Sequence, residues 1–147
     1  MVVGVEELSD LLLLLVVLRE LGQVVGRTRL QKIVYLLREM YQIPFRFRFK
    51  PYFYGPYSED LSDAIENLTA LGVIEEGRRY LAEGVIEYSY SLTKRGLSFL
   101  EGQITGEIAR RPPLGTSLAK ALRELEALPT SNLVSTAKSM LSPSQVS

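Results

Sequence analysis

The sequence contains no cysteine and no histidine among its 147 residues. The absence of cysteine excludes disulfides, thiolate metal sites and thiol nucleophiles. The absence of histidine removes the most common general base and the most common metal ligand. The sequence also lacks a phosphate-binding loop, a nucleophile elbow and any metal-ligand spacing. We therefore expect a protein that is not an enzyme and that binds no metal and no cofactor.

Neither sign of charge is in excess, and no apolar run is long. Basic and acidic residues number 17 each, so no overall field draws the protein to DNA or to an anionic membrane. Any nucleic-acid surface must therefore be local. The longest apolar run, LLLLLVVL at residues 11–18, is shorter than the roughly 20 residues that span a bilayer. It follows acidic residues, unlike a signal peptide. We expect a buried helix in a soluble, cytoplasmic protein without membrane contact.

The chain has the length of one domain, and its apolar periodicity changes between that of helices and that of strands. Thr28 and Gln31 have the spacing of a capping box, which indicates the start of a helix. The predicted order is a helix at residues 5–21, a helix in GRTRLQKIVYLLREMYQ, a strand at residues 45–50, a turn at YGPYS, a helix at residues 59–71, strands at VIEE and VIEYSYSL joined by the loop GRRYLAEG, and helices at residues 94–100, at TSLAKALRELEAL and at residues 132–141. These elements predict an α+β fold that is mostly helical.

The order helix, helix, helix, strand, loop, strand resembles that of a winged helix-turn-helix domain. LTALGVIEEG resembles the passage from its third helix into the wing, and YSLTKRGLSFL resembles the exit from the wing into a helix. GRTRLQKIVYLL followed by YFYGPYSEDL resembles an uncharacterised prokaryotic group often labelled YwgA-like and, more distantly, the antitoxin-associated Panacea domain. The resemblance implies a winged-helix domain at residues 1–102 with a strand segment inserted before the third helix. Residues 103–141 would then be an added helical extension, and residues 142–147 a frayed tail.

The resemblance also implies that the third helix reads DNA, while Arg78 and Arg79 on the wing contact the backbone. The composition of that helix disfavours insertion into the major groove, because it contains acids and neither lysine nor arginine. Its acidic residues are Glu59, Asp60, Asp63 and Glu66. Acids suit the positive N-terminal end of a helix, but they repel a duplex that bears one charge per roughly 1.7 Å.

Basic residues concentrate instead between Gly26 and Lys50, where seven basic residues and one acidic residue give a local charge of +6. These cations could follow a phosphate backbone without reading bases. Equally, they could be solvated or could neutralise the acidic third helix in exposed pairs, each contributing about 0–1 kcal/mol. The residues expected to hold phosphate are Arg27, Arg29, Lys32, Arg46, Arg48 and Lys50, with Arg78 and Arg79 adding wing contacts.

The aromatic residues of the same region are expected to pack rather than to stack on bases. Phe45, Phe47 and Phe49 alternate with the cations and should therefore face the core. The aromatic residues of the turn are expected to pack it against the second helix, although their hydroxyls could line a groove for a partner. They are Tyr52, Phe53, Tyr54 and Tyr57.

The C-terminal stripe of Leu118, Leu122 and Leu125 is either part of the core or a dimerisation seam. The leading hypothesis is a small winged-helix regulator or antitoxin-like component that contacts mainly the backbone of double-stranded DNA as a homodimer. The alternative is a winged-helix module for protein–protein interaction. In that alternative the acidic third helix and the tyrosine-rich turn face a partner protein.

Overall fold

The computed structural model describes residues 9–103 and 112–141, without the side chains of residues 112–117. Within these ranges the fold is α+β, with six α-helices and two small antiparallel sheets, as the sequence predicts at this level. The elements are α1 (Asp10–Leu21), β1 (Val24–Val25), α2 (Arg27–Tyr41), β2 (Lys50–Tyr52), β3 (Gly55–Tyr57), α3 (Glu59–Ala70), β4 (Ile74–Tyr80), β5 (Ile86–Leu92), α4 (Lys94–Gln103), α5 (Pro112–Glu126) and α6 (Thr130–Ser139).

The larger sheet has the strand order β1-β5-β4 and is antiparallel throughout. Val24 of β1 lies opposite Tyr90, and Gly77 at the middle of β4 lies opposite Ser89. The second sheet is the β2–β3 hairpin, in which Lys50 lies opposite Tyr57. The hairpin directly precedes α3 in the chain and therefore positions the start of that helix.

The first helix is buried over six consecutive residues, 13–18, which confirms the prediction from the apolar run. It begins at Asp10 instead of residue 5, because Ser9 has extended backbone and its side chain accepts a hydrogen bond from the Leu12 N–H. Residues 1–8 lie outside the described ranges.

The capping box predicted at Thr28 and Gln31 is wrong. The residue before α2 is Gly26, at φ 110°, and no side chain caps the helix. Gln31 is buried and uses its amide in two hydrogen bonds with the backbone of Ser58, at 2.9 and 2.8 Å. The Gln31 side chain, which local spacing assigns to the helix end, therefore makes a long-range contact with Ser58. This contact joins α2 to the start of α3.

The strand predicted at residues 45–50 is also wrong, although its alternation is correct. Phe45 and Phe47 are buried while Arg46 and Arg48 are exposed, yet no ladder forms before Lys50. Extended backbone alone is enough to alternate the side chains. The sequence GPY within the predicted turn forms β3 instead.

Strand β4 is longer than predicted, whereas β5 lacks the first residue of the predicted VIEYSYSL. Strand β4 continues to Tyr80 and so takes in the first half of the predicted loop, and a short 3₁₀ helix at Ala82–Gly84 makes the connection. The two-residue strand β1 was not predicted. It carries no pattern of its own and forms because β5 offers it an edge.

The C-terminal helices pack on α1 and α2 and contribute to the same hydrophobic core as they do. Helix α5 begins at Pro112, four residues before the predicted TSLAKALRELEAL, and α6 begins at Thr130, two residues early. Residues 104–111 and the predicted tail at 142–147 lie outside the described ranges. The structure buries Leu118, Leu122 and Leu125 in the chain's own core. A dimer seam through these residues would therefore require α5 to leave that core.

Candidate functional site

Arg27, the first residue of α2, is bound to the β4–β5 hairpin. Its guanidinium carbon lies 3.7 Å from the ring centroid of Tyr88, a cation–π distance. Its Nε donates to the hydroxyl of Tyr90 at 3.1 Å, and its Nη2 lies 3.8 Å from a carboxylate oxygen of Glu76. Arg27 therefore links the start of α2 to both β4 and β5.

Arg29 is bound to the end of α5. Its guanidinium donates to the carbonyl oxygens of Leu128 and Glu126, both at 2.8 Å, and to the hydroxyl of Thr130 at 3.3 Å. The last carbonyls of a helix have no partners within the helix, and a cation there also suits the negative end of its dipole. This arginine therefore joins the C-terminal helices to α2.

Lys32 is 2% exposed, and its Nζ donates to the carbonyl oxygen of Pro56 at 2.7 Å. Burial, together with the nearby charge of Lys138, lowers the pKa of Lys32 to about 8. The Lys32 side chain is therefore buried and holds β3 through its bond to Pro56. A phosphate group on the surface could not reach it.

The extended segment between α2 and β2 pairs with the start of α3. Arg48 donates from Nε and Nη2 to the two carboxylate oxygens of Asp60, at 3.0 and 3.1 Å, and Lys50 lies 3.6 Å from Glu59. Hydrogen bonds from the side chain and backbone of Arg48 hold the pKa of Asp60 below its ordinary value. Arg46 is exposed, and its backbone N–H donates to Asp10 at 2.7 Å.

The two arginines of β4 are paired as well. Arg78 lies 3.3 Å from Glu76, two residues before it on the same strand. Arg79 lies 3.1 Å from Glu87, its direct cross-strand neighbour on β5. Opposite charges at such positions stabilise an antiparallel pair.

Within residues 9–103 and 112–141, the side chains of seven of the eight predicted phosphate ligands thus have a protein partner, and Arg46 has no ion pair there. The structure gathers the cations into separate groups. Arg27 and Arg78 meet at the Tyr88 ring, while Arg48 and Lys50 meet the acids of α3.

A cleft of about 550 Å³ lies between the start of α2, the length of α3 and the β4–β5 hairpin. Its lining mixes both signs of charge, with Arg27, Arg78, Glu66 and Glu76. The half-buried carboxylate of Glu76 accepts from the Tyr90 hydroxyl at 3.0 Å. Burial, with this bond to Glu76, raises the pKa of Tyr90 to about 12. No local pattern in the sequence indicates this cluster, because its members lie on four different elements, α2, α3, β4 and β5.

The tip of the β2–β3 hairpin presents three consecutive aromatic side chains to solvent. Tyr52, Phe53 and Tyr54 are 62%, 78% and 65% exposed, which corrects the expectation that they pack against α2. Tyr57 is half-buried, with its ring centroid 5.5 Å from that of Tyr52. Strands β2 and β3 pair along all three of their residues and so form the base of the hairpin that presents this tip.

The four acids of α3 divide into two pairs. Glu59 and Asp60 are held by the cations of the preceding segment. Asp63 and Glu66 are exposed, and neither has an ion pair with another described residue. Glu66 and Tyr57 both line the cleft, so the acidic helix and the hairpin meet there.

The described part of the chain lacks two further kinds of feature. No group of three or more acidic residues there is placed to hold a metal ion. None of its helices has both the length and the apolar character needed to cross a membrane.

Comparison with known proteins gives one relative. The chain is 41% identical over 88 residues to the uncharacterised protein YwgA of Bacillus subtilis (strain 168). The match covers 60% of this chain and 52% of YwgA, so it spans about half the length of that relative. No family model and no solved structure matches the chain. This likeness supports the resemblance to the YwgA-like group.

Proposed function

We propose that this protein is a protein-interaction module built on a winged-helix topology, and that the exposed aromatic tip of the β2–β3 hairpin is its main contact surface. The observation that carries the proposal is the exposure of Tyr52, Phe53 and Tyr54, each above 60%. Aromatic side chains are enriched at protein interfaces, where they bury a large area at a low cost in conformational entropy.

The element order supports the winged-helix topology. Three helices precede a two-stranded wing, and β1, between the first two helices, pairs with the second wing strand. This arrangement places α3 beside the wing with the mixed-charge cleft between them. In a DNA reader the same helix would be the recognition helix, whose acidic surface here disfavours a phosphate backbone.

The charges of α3 support a protein partner with basic side chains. Asp63 and Glu66 leave negative charge on the exposed side of the helix, beside the hairpin. Complementary charge at the rim of an interface steers association, while buried aromatic side chains supply most of the affinity. The proposed surface therefore has an apolar tip and an acidic flank.

The test is affinity capture from a lysate of the native host with the intact chain and with Phe53→Ser. Phe99→Ser is the matched control, since Phe99 is an exposed aromatic residue on α4, away from the hairpin. We expect Phe53→Ser to lose a partner that the control retains, with both variants unfolding at similar temperatures. Retention of every partner by Phe53→Ser would contradict the proposal.

Nucleic-acid binding is the second candidate function, and the exposure of the cationic segment favours it. The Arg48 side chain is 88% exposed although it is paired with Asp60, and Arg46 is exposed beside it. Exposed pairs contribute only about 0–1 kcal/mol, so a phosphate group could displace the carboxylate.

This candidate is tested by fluorescence anisotropy of a labelled duplex across a salt series. Arg46→Glu is compared with Arg123→Glu, which reverses an exposed charge on α5. Backbone binding predicts a weaker affinity and a shallower salt dependence for Arg46→Glu alone. An affinity no better than about 10⁻⁴–10⁻⁶ M, unchanged by Arg46→Glu, would exclude specific binding through this segment.

A further inference from the structure

Strand β4 is an edge strand. It pairs with β5 along all seven of its residues, and no strand of the described ranges pairs with its other side. An edge of this length offers a row of backbone donors and acceptors to another strand. Apart from Ile74, its residues are exposed or half-buried.

The hydrogen bonds fix which backbone groups of β4 point outward. The Thr93 N–H donates to the carbonyl oxygen of Val73, and the Leu81 N–H donates to that of Val85. Hydrogen-bonded and non-hydrogen-bonded pairs alternate along an antiparallel ladder. Odd-numbered residues of β4 therefore bond to β5, and the even-numbered residues direct their N–H and C=O groups to the free edge. They are Ile74, Glu76, Arg78 and Tyr80.

The charges of β4 are mirrored about its middle residue. Two glutamates precede Gly77 and two arginines follow it, in the sequence IEEGRRY. An antiparallel strand runs in the opposite direction, so a second copy centred on the same glycine presents arginine to each glutamate and glutamate to each arginine. Segment β4 is thus complementary to itself.

We propose that two copies of this chain associate through β4, antiparallel and centred on Gly77, to form one continuous sheet across a two-fold axis. Glu76 then lies opposite Arg78 of the second copy, and Glu75 lies opposite its Arg79. The outward-pointing residues Glu76 and Arg78 form a hydrogen-bonded pair, as the backbone directions require.

Other registers of the same edge are worse. A one-residue slip pairs outward-pointing residues with inward-pointing ones and loses the ladder. A slip that moves the centre to Arg78 or to Glu76 places like charges directly opposite each other, which destabilises a strand pair. The charge order therefore selects one register among those that the backbone allows.

The existing ion pairs are compatible with this association. Arg79 contacts Glu87 on its own sheet and can share its charge with a second carboxylate, while Glu75 has no ion pair within the described ranges. Each copy has its cleft on the face that carries Glu76 and Arg78. Because the two-fold axis is perpendicular to the sheet, both clefts open on the same side of the dimer.

The charge test uses sedimentation velocity of the full chain from about 1 to about 100 µM. We expect a monomer–dimer equilibrium for the wild type and a dissociation constant raised at least about tenfold for Glu75→Lys and for Arg79→Glu, each measured alone. An equimolar mixture of these two variants restores an opposite charge at both 75–79 contacts, so it should form heterodimers. Glu101→Lys, an exposed site on α4, is the matched control and should associate like the wild type.

The register test uses the absence of cysteine from the wild-type chain. Cysteines at positions 75 and 79 of one chain are separated by roughly 13 Å along the strand, too far for a disulfide, whereas they face each other across the proposed two-fold axis. The double variant Glu75→Cys, Arg79→Cys should therefore give a covalent dimer under mild oxidation, and Glu75→Cys alone should not. A monomer at every concentration would overturn the proposal. So would a dimer that neither charge variant weakens, or a dimer that the double-cysteine variant fails to cross-link.

Discussion

Burial of Lys32 makes the stability of this protein depend on pH in an unusual direction. The Nζ of Lys32 is enclosed beneath β3 and bonds to the carbonyl oxygen of Pro56, while the pKa falls from 10.5 to about 8. Below pH 8 the folded and unfolded chains both carry the proton. The cost of burying the charge is then fully present, and at 1.36 kcal/mol per pKa unit it is roughly 3 kcal/mol.

Between pH 8 and 10.5 the unfolded chain still binds this proton and the folded chain has released it, so the free energy of unfolding rises with pH. From pH 7.5 to 9.5 the expected gain from Lys32 is about 2 kcal/mol. Tyr41 and Tyr90, whose pKa values are raised to about 12, act in the opposite direction. Their effect becomes large only above about pH 10, where tyrosines of the unfolded chain ionise.

The assay is urea unfolding at closely spaced pH values for the wild type and for Lys32→Met. Methionine keeps the length of the side chain but does not titrate. The loss of the hydrogen bond to Pro56 lowers the free energy of unfolding by an amount that is independent of pH. The difference between the two free energies should therefore change by about 2 kcal/mol over this range. Lys120→Met, at an exposed position of α5, is the control. Parallel curves for wild type and Lys32→Met would refute the reasoning.

Three further substitutions test the packing that positions the candidate surfaces. Gln31→Leu leaves the buried N–H of Ser58 without a partner, whereas the Ser58 carbonyl keeps its bond from the Ser62 N–H, so urea unfolding should show a loss of roughly 2 kcal/mol. Gly96→Ala places a Cβ in steric overlap with the carbonyl oxygen of Val73. Calorimetry should therefore show a destabilisation of about 3 kcal/mol or a chain that does not fold. Arg29→Ala removes the donors at the end of α5, and the same urea assay should show a loss of about 1–2 kcal/mol.

Each of these substitutions has a control in the same chain. Gln103→Leu changes an exposed amide at the end of α4, and Arg123→Ala changes an exposed arginine on α5. Gly102→Ala is the sharpest comparison for Gly96, because both glycines lie in α4 and a Cβ at Gly102 meets no atom within 4 Å. Equal effects in test and control variants would contradict the contacts described here.

Local periodicity correctly predicts the elements whose structure depends mainly on their own residues. The helix predicted in GRTRLQKIVYLLREMYQ forms as α2, and its apolar residues Leu30, Ile33, Val34 and Leu37 are buried. The alternation at Phe45 and Phe47 is also confirmed, because extended backbone turns successive side chains to opposite sides without any partner strand.

The features that local patterns do not predict depend on partners distant in the chain. Strand β1 forms against β5, and Gln31 leaves its predicted capping role for the backbone of Ser58. The exposure of Phe53 has the same origin. Aromatic residues in a turn do not indicate by themselves whether another element covers them, and in the folded chain Tyr52, Phe53 and Tyr54 remain mostly exposed.

Charge shows most clearly why a count along the chain is a weak guide to a surface. The segment from Gly26 to Lys50 sums to +6, yet Asp60, Glu59 and Glu76 fold back onto three of its cations from outside the segment. Its excess is therefore partly cancelled by residues that the count leaves out. Strand β4 is the reverse case. The charges of its two glutamates and two arginines sum to zero, so a charge count does not indicate a surface there. The order of those charges about a central glycine nevertheless distinguishes one strand register from all others that the backbone permits.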